Sequence, residues 1–240
     1  MADAVIVSNL TRVFGALKAV DGISFAIKPG EVFGLIGPNG SGKTTTLRVV
    51  ATLLKPTAGS VTVFGLDVVK QAGQVRRLIS YLPEEAGAYR NLSGIDYLRF
   101  MATFYSRDTV ARDKLVEKGT ELAGLGQRIY DKVSTYSKGM ARKLLLARAL
   151  MTEPKLAILD EPTSGLDVEN STAIRQRIKE FARRGTTILL SSHNMLEVEV
   201  LSDRVAIISS GTIIALGTPA ELKSRYMGAN LEEVFLKAAG

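Results

Sequence analysis

Gly37-Pro38-Asn39-Gly40-Ser41-Gly42-Lys43-Thr44 is the stretch that decides how this chain is read. The run Val32-Phe33-Gly34-Leu35-Ile36 before it reads as a short buried strand, and Thr45-Thr46-Leu47-Arg48-Val49-Val50 after it as the start of a helix. A strand, a loop of the form Gly-x-x-x-x-Gly-Lys-Thr and a helix together make a phosphate-binding, or Walker A, loop. The glycines let the backbone turn back on itself, so that successive N–H groups converge on an anion. The helix N-terminus adds unpaired N–H donors and the positive end of its dipole. Lys43 is expected to reach the β- and γ-phosphates and the Thr44 hydroxyl to ligate Mg²⁺. A Gly-rich turn with an exposed lysine is the competing reading, and the flanks count against it. The expected ligand is a nucleoside triphosphate.

The chain has 240 residues, enough for one large domain or two intimate ones around a substantial core. No run approaches the ~18 consecutive apolar residues of a membrane span. Met1-Ala2-Asp3-Ala4-Val5 lacks the charged and apolar regions of a signal peptide. Zero cysteines exclude disulfides and thiolate metal sites, and they fit a reducing cytoplasm. A net charge of +7 is compatible with nucleic acid or an anionic membrane. However, Lys70, Arg76, Arg77, Arg142, Lys143, Arg183 and Arg184 form only short scattered pairs, the pattern of a solvated surface.

Upstream of the loop, Ala4–Leu10 and Gly22–Ile27 read as antiparallel strands closed by Lys28-Pro29-Gly30. Phe14 lies between them, either as plain core or as a platform for a base. Downstream, Ser60–Gly65 alternates like a strand, Val75–Leu78 closes a short helix, and Ile79–Leu82 is a strand ending at Pro83-Glu84-Glu85. From Ala86 to Met151 the pattern turns helical. A helix starts at Ser93-Gly94-Ile95-Asp96, with Tyr97, Phe100, Met101 and Phe104 on one apolar face. Thr109–Ala123 and Lys138–Leu150 make two more helices. The sheet resumes with Leu156–Leu159, whose end carries Asp160-Glu161, followed by helix Val168–Arg184 and strand Thr186–Ser191 ending at Ser192-His193. Helix Met195–Leu201 and strands Arg204–Ile208 and Gly211–Leu216 complete this part. Alternating buried strands and helices imply a mostly parallel α/β sheet, with ligands at the carboxyl ends of its strands. Gly37, Asp160 and His193 all fall at such ends.

With these stretches in this order, the chain resembles the ATP-binding subunit of an ABC transporter over nearly its whole length. The resemblance implies a P-loop NTPase (RecA-like) core, with an N-terminal antiparallel β-subdomain and a helical subdomain carrying the signature motif. Residues 1–85 and 151–218 would form the core, 86–150 the helical subdomain and 219–240 a short C-terminal tail of one domain. It also implies roles for particular residues. Phe14 falls at the adenine-stacking aromatic, and Gly37 to Thr45 at the phosphate loop. Leu156 to Glu161 falls at Walker B, with Asp160 on the magnesium shell and Glu161 as the base polarising the attacking water. Tyr136-Ser137-Lys138-Gly139-Met140 stands at the signature, where Ser137 and Gly139 would touch phosphate. Ser164-Gly165-Leu166-Asp167 stands at the D-loop, and His193, the only histidine, at the switch position. Arg142 and Lys143 follow the signature, so this helix N-terminus also suits an anion. The family's arrangement is a head-to-tail homodimer with two ATPs between Walker A of one copy and the signature of the other.

Three features depart from the family's pattern or are particular to part of it. Lys138 and Met140 replace the usual glycine and glutamine of the signature. Glu84 stands where glutamine is usual, which adds a charge beside the expected metal. The tail Asn230-Leu231-Glu232-Glu233-Val234-Phe235-Leu236 looks like the ending of drug, antibiotic and polysaccharide exporter subunits. Leu231, Val234, Phe235 and Ala238 give it an apolar face for its own core or for a dimer contact.

The resemblance points to an ATPase that powers transport, with export as the direction its tail suggests. It would act through a separate transmembrane permease subunit, peripherally at the cytoplasmic face of the membrane. A soluble ABC ATPase acting on nucleic acid or ribosomes is the alternative. The single cassette, the lack of a long heptad insertion between Gly37 and Ser137, and the lack of cysteines for zinc modules count against it, so no nucleic acid is expected. A nucleotide-regulated binding module without turnover would not need Glu161 and His193.

Overall fold

A computed structural model describes residues 2–239; Met1, part of the N-terminal stretch read above for a leader, and Gly240 lie outside the described residues. The chain opens with two antiparallel strands, β1 (Val5–Phe14) and β2 (Leu17–Ile27). Val5, Val7 and Leu10 on one strand, and Ile23, Phe25 and Ile27 on the other, face the interior. Both strands are longer than the hydrophobic alternation suggests, and pairing continues to Phe14 opposite Leu17. Irregularities in register between Val7 and Val13 break the alternation there without ending the ladder.

The buried strand β3 (Val32–Ile36) leads through the phosphate loop into α1 (Lys43–Val50). β4 (Ala58–Val63) and β5 (Leu66–Asp67) complete a four-stranded antiparallel sheet in the order β2-β1-β4-β5. A short α2 (Ala72–Arg76) precedes β6 (Ile79–Leu82). The helical stretch holds α3 (Gly94–Ala102), α4 (Thr109–Ala123), two 3₁₀ turns and α5 (Lys138–Leu150). Side chains of Ser93, Asp108 and Ser137 cap these three helices, each accepting a backbone N–H in the first turn. The rest comprises β7 (Leu156–Asp160), α6 (Val168–Arg183), β8 (Thr187–Ser192), α7 (Met195–Leu201), β9 (Arg204–Ser209) and β10 (Thr212–Gly217). Two tail helices follow, α8 (Pro219–Tyr226) and α9 (Leu231–Ala239).

The second sheet has six strands in the order β10-β9-β3-β8-β7-β6. Only the β10–β9 pair is antiparallel. This is the expected α/β, P-loop NTPase architecture. Within each apolar strand the two faces serve different cores. Phe33 and Leu35 face α1 and the antiparallel sheet, with Phe33 stacked on Phe25 at 5.1 Å between ring centroids. Val32 and Ile36 face the other way, into a core shared with Leu98, Leu144, Leu150, Ile178 and Phe181. Each such side chain contributes about 1.5–3 kcal/mol by leaving water.

One expectation needs correction, and one element goes beyond the sequence pattern. The aromatic stripe on α3 is divided: Tyr97 is 3% exposed, but Phe100 is 41% and Phe104 68% exposed. Phe100 and Phe104 pack edge to face with each other, and Phe100 also meets Tyr89. The tail contains a helix, α8, that the apolar pattern does not reveal; its start is fixed by a capping box between Thr218 and Glu221, with Pro219 in the first turn. The tail's apolar face packs on the chain's own core, with Leu231 and Val234 fully buried.

Candidate functional site

Strands β3, β8 and β7 lie side by side, with Ile36 opposite Ser192 and Asp160 opposite Ser191. Gly37, His193 and Glu161 therefore leave the same edge of the sheet within a few residues of one another. This is the edge where parallel sheets hold ligands.

The phosphate loop is built to leave donors free. Gly42 caps α1 at φ 107°, where a Cβ would stand 2.5 Å from the Ala19 carbonyl oxygen, so only glycine fits. Helices α3 to α8 each have a capping side chain, whereas α1 and the five-residue α2 have none. The first N–H groups of α1 are thus left to an external acceptor. The Ser41 hydroxyl, in the same loop, is buried with no partner among the described residues. An orphaned hydroxyl beside free amides fits a phosphate oxygen. The Lys43 ammonium folds back on its own loop, donating to Gly37 O at 2.8 Å and Pro38 O at 3.0 Å. Burial pushes its pKa below the ordinary lysine value, and the charges of Glu161, Asp160 and Glu84 oppose that push. The loop opens on a cavity of about 370 Å³ whose walls include Phe14, Asn39, Thr45, Glu84 and Glu161.

Asp160 is buried and fully engaged. Its Oδ1 accepts from Ser191 Oγ at 2.5 Å and Thr44 Oγ1 at 3.1 Å, and its Oδ2 accepts from Tyr81 Oη at 3.3 Å. Burial raises the Tyr81 pKa and the Asp160 charge adds to the effect, so this phenol stays a donor. The next residue turns sharply. Glu161 sits at φ 47°, a left-handed conformation costly for a non-glycine residue. Its N–H is held by Ser191 Oγ and Ser191 O, at 3.1 and 3.2 Å. The turn aims its buried carboxylate at the loop, with Oε1 3.9 Å from Lys43 Nζ and Oε2 2.9 Å from His193 Nδ1. His193 is half exposed. A carboxylate between a cation and an imidazole can orient water and accept its proton.

Phe14 is 40% exposed at the cavity's edge, with the Arg12 guanidinium 4.3 Å from its ring centre. The structure thus brings together Phe14, the phosphate loop, Glu84, Asp160, Glu161 and His193. It leaves Ser137, Gly139 and Asp167 outside the cavity wall. Exposed Ser137 caps α5 by accepting from Met140 N. Gly139 is buried under the Asn170 side chain, close enough that a Cβ would collide with it. Asp167 caps α6, and its two oxygens accept from the backbone N–H and the side-chain amide of Asn170. Those bonds hold its carboxyl below the usual pKa.

Three residues at the site escape the sequence reading. Ser191 and Tyr81 both bond Asp160, and nothing in their local pattern marks them. Arg142, read as a surface charge beside an anion-binding helix start, is buried and donates to backbone carbonyls only. Its signal was the helical register: Gly139, Arg142, Leu146 and Ala149 share one buried stripe.

Residues 20–164 match the family described as ABC transporter. The linearmycin resistance ATP-binding protein LnrL of Bacillus subtilis (strain 168) is 37% identical over 238 residues, or 96% of this chain and 76% of that protein. The daunorubicin/doxorubicin resistance ATP-binding protein DrrA of Streptomyces peucetius is 38% identical, over 95% of this chain and 69% of its own length. A solved structure described as the ATP binding subunit of an ABC transporter superposes with a TM-score of 0.87 at 28% identity, covering 99% of this chain and 100% of that one. The chain belongs to the ABC transporter family, as one of its ATPase subunits.

Proposed function

We propose that this chain is the energising subunit of an exporter, working at the cytoplasmic face of the membrane with a separate transmembrane permease. The relatives named for linearmycin and daunorubicin/doxorubicin resistance support the direction, as does a Nod factor export ATP-binding protein of Rhizobium etli, 35% identical over 95% of this chain and 72% of its own length. Among the described residues no helix is long and apolar enough to cross a membrane. The observation that carries the enzymatic part is the placing of the Glu161 carboxylate between Lys43, at the phosphate cavity, and His193.

In this reading Phe14 stacks on adenine, and the loop from Gly37 to Thr45 holds the phosphates. Thr44, Asp160 and Glu84 offer the hard oxygen ligands that Mg²⁺ takes. The metal, when bound, neutralises charge on the phosphates. Glu161 holds a water in line with the γ-phosphorus and accepts its proton as the bond to the leaving ADP breaks, and His193 fixes the carboxylate's orientation. Ser137, Gly139 and Asp167, which stand outside this cavity, serve the opposite site of a head-to-tail homodimer. Residues 86–150 form the helical unit that moves against the core at residues 1–85 and 151–218.

The permease contact in this reading is the apolar recess of about 420 Å³ formed by Tyr89, Arg90, Asn91, Leu92 and Phe100. Tyr89 is 58% exposed there, an aromatic anchor for an incoming helix. Co-purification with the permease, followed by Mg²⁺-dependent ATPase assays of the complex and the free subunit, tests the proposal. Tyr89→Ala should abolish stimulation by the permease and keep the free subunit's rate. A complex whose ATPase ignores the permease, or a chain that hydrolyses no ATP in either form, overturns the proposal.

A further inference from the structure

The ends of β6 and β7 stop pairing after Leu82 and Leu159. Beyond that point Pro83, Glu84, Asp160, Glu161 and Pro162 turn carbonyl oxygens toward a single place, and Arg142 of α5 fills it. Arg142 is 7% exposed, and every N–H of its guanidinium is used. Nε donates to Pro162 O at 2.9 Å, and Nη1 to Pro83 O and Glu84 O at 3.0 and 3.1 Å. Nη2 donates to Asp160 O and Glu161 O, both at 2.8 Å. Only a guanidinium supplies five donors in one plane; lysine has three on a tetrahedral nitrogen and glutamine two. Among the described residues no carboxylate lies within ion-pair distance of this cation; the charges of Asp160, Glu84 and Glu161 act on it, but its hydrogen bonds all go to backbone and set backbone position. The residues it grips carry the side chains aimed at the phosphate cavity.

We propose that Arg142 is a positioning residue for hydrolysis. It holds the backbone at Glu84, Asp160 and Glu161 so that the metal ligands and the base keep their aim, and it ties that aim to the helix that begins at the signature. A shift of α5 against the core then moves the base and the metal site together, while the phosphate loop, which Arg142 does not touch, stays in place. This inference rests on the proposed roles of Asp160 and Glu161.

The test compares wild type with Arg142→Gln, Arg142→Lys and Arg142→Ala in the full chain. Expected for Arg142→Gln is a kcat lowered by about 10²-fold, the usual cost of a reacting group displaced by about 1 Å. At saturating Mg²⁺, KM for ATP, and the metal-free affinity for methylanthraniloyl-ATP in EDTA, should stay within about twofold, as expected when positioning and not ground-state binding of the nucleotide is lost. Amide hydrogen exchange should rise at residues 84–88 and 161–167 and stay unchanged in β3 and α1. Millimolar guanidinium should restore part of the Arg142→Ala rate and none of the loss in Glu161→Gln. Arg142→Lys keeps the charge and the stem, and it decides the matter if the alanine variant does not fold. A kcat close to wild type in Arg142→Lys and Arg142→Gln overturns the proposal. So does exchange that rises uniformly along the chain together with weakened metal-free binding, since that marks a merely structural arginine. If wild type itself shows no Mg²⁺-dependent hydrolysis, the proposed function fails, and the exchange pattern alone decides whether Arg142 anchors the two loops.

Discussion

The Nδ1 atom of His193 lies 2.9 Å from Oε2 of Glu161, at the end of a strand adjacent to the one that delivers the carboxylate. The pair is asymmetric: the carboxylate is buried and the imidazole half exposed. An outward-facing histidine on an inward-facing base can respond to what enters the cavity. Glu161→Gln keeps the shape and the turn but cannot take a proton. It should leave ATP binding intact and lower steady-state hydrolysis by about 10²–10⁴-fold. ATP should then hold the variant as a dimer on size exclusion in the presence of Mg²⁺. A variant that binds ATP and elutes as a monomer throughout would count against the sandwich mechanism.

Lys43 sets stability against function. Its folded pKa lies below the ordinary 10.5 because burial disfavours the ammonium more than Glu161, Asp160 and Glu84 favour it. Between the folded pKa and 10.5 the unfolded chain binds more protons, so this group makes stability rise with pH in that window. Below the folded pKa its unfavourable contribution is fully present. Lys43→Met should therefore raise the nucleotide-free melting temperature. The same variant should lose the melting shift that ATP gives wild type. Scanning fluorimetry with and without ATP checks both, and a nucleotide-free Tm below wild type refutes the burial argument.

Ser137 and the phosphate loop should behave as parts of two different sites. Ser137→Arg should abolish hydrolysis and leave ATP binding by the isolated monomer unchanged. Mixed with Lys43→Ala, it should recover at most one composite site per heterodimer. Equal loss of monomer binding in Ser137→Arg and Lys43→Ala would show that the two residues act within one chain.

Much of this arrangement is legible in the sequence, for identifiable reasons. The phosphate loop declares itself because each of its demands, a buried strand, glycines, a lysine and a helix, selects a distinct residue type. Asp160 and Glu161 stand out only beside the phosphate loop, because two carboxylates closing a strand can otherwise cap a helix or form a solvated turn. Phe100 and Phe104 mislead because helical spacing shows that residues share a face, not whether anything covers it. Arg142 and Lys143 are adjacent and equally charged, yet only Arg142 lies on the buried stripe. Its partners are backbone carbonyls far along the chain, which no local pattern can announce. Ser191 and Tyr81 are hidden for the same reason: their roles exist only once β6, β7 and β8 lie side by side.

Glu84 offers the sharpest test, because a carboxylate stands where the family's usual residue is neutral. It is exposed, it lines the phosphate cavity, and its charge is felt at Lys43. Its backbone carbonyl is held by Arg142, so the residue is anchored while its side chain is free to swing. Swung inward, it gives Mg²⁺ a charged oxygen, which hard cations favour. Without metal the same charge repels the triphosphate already facing Asp160 and Glu161. Glu84→Gln should thus raise the Mg²⁺ concentration for half-maximal ATPase activity by about tenfold. ATP affinity measured in EDTA should stay equal or improve. The two effects have opposite signs, and a general loss of structure cannot produce both. A magnesium titration that superimposes on wild type would remove Glu84 from the metal ligands, leaving Thr44 and Asp160 to hold the ion with water.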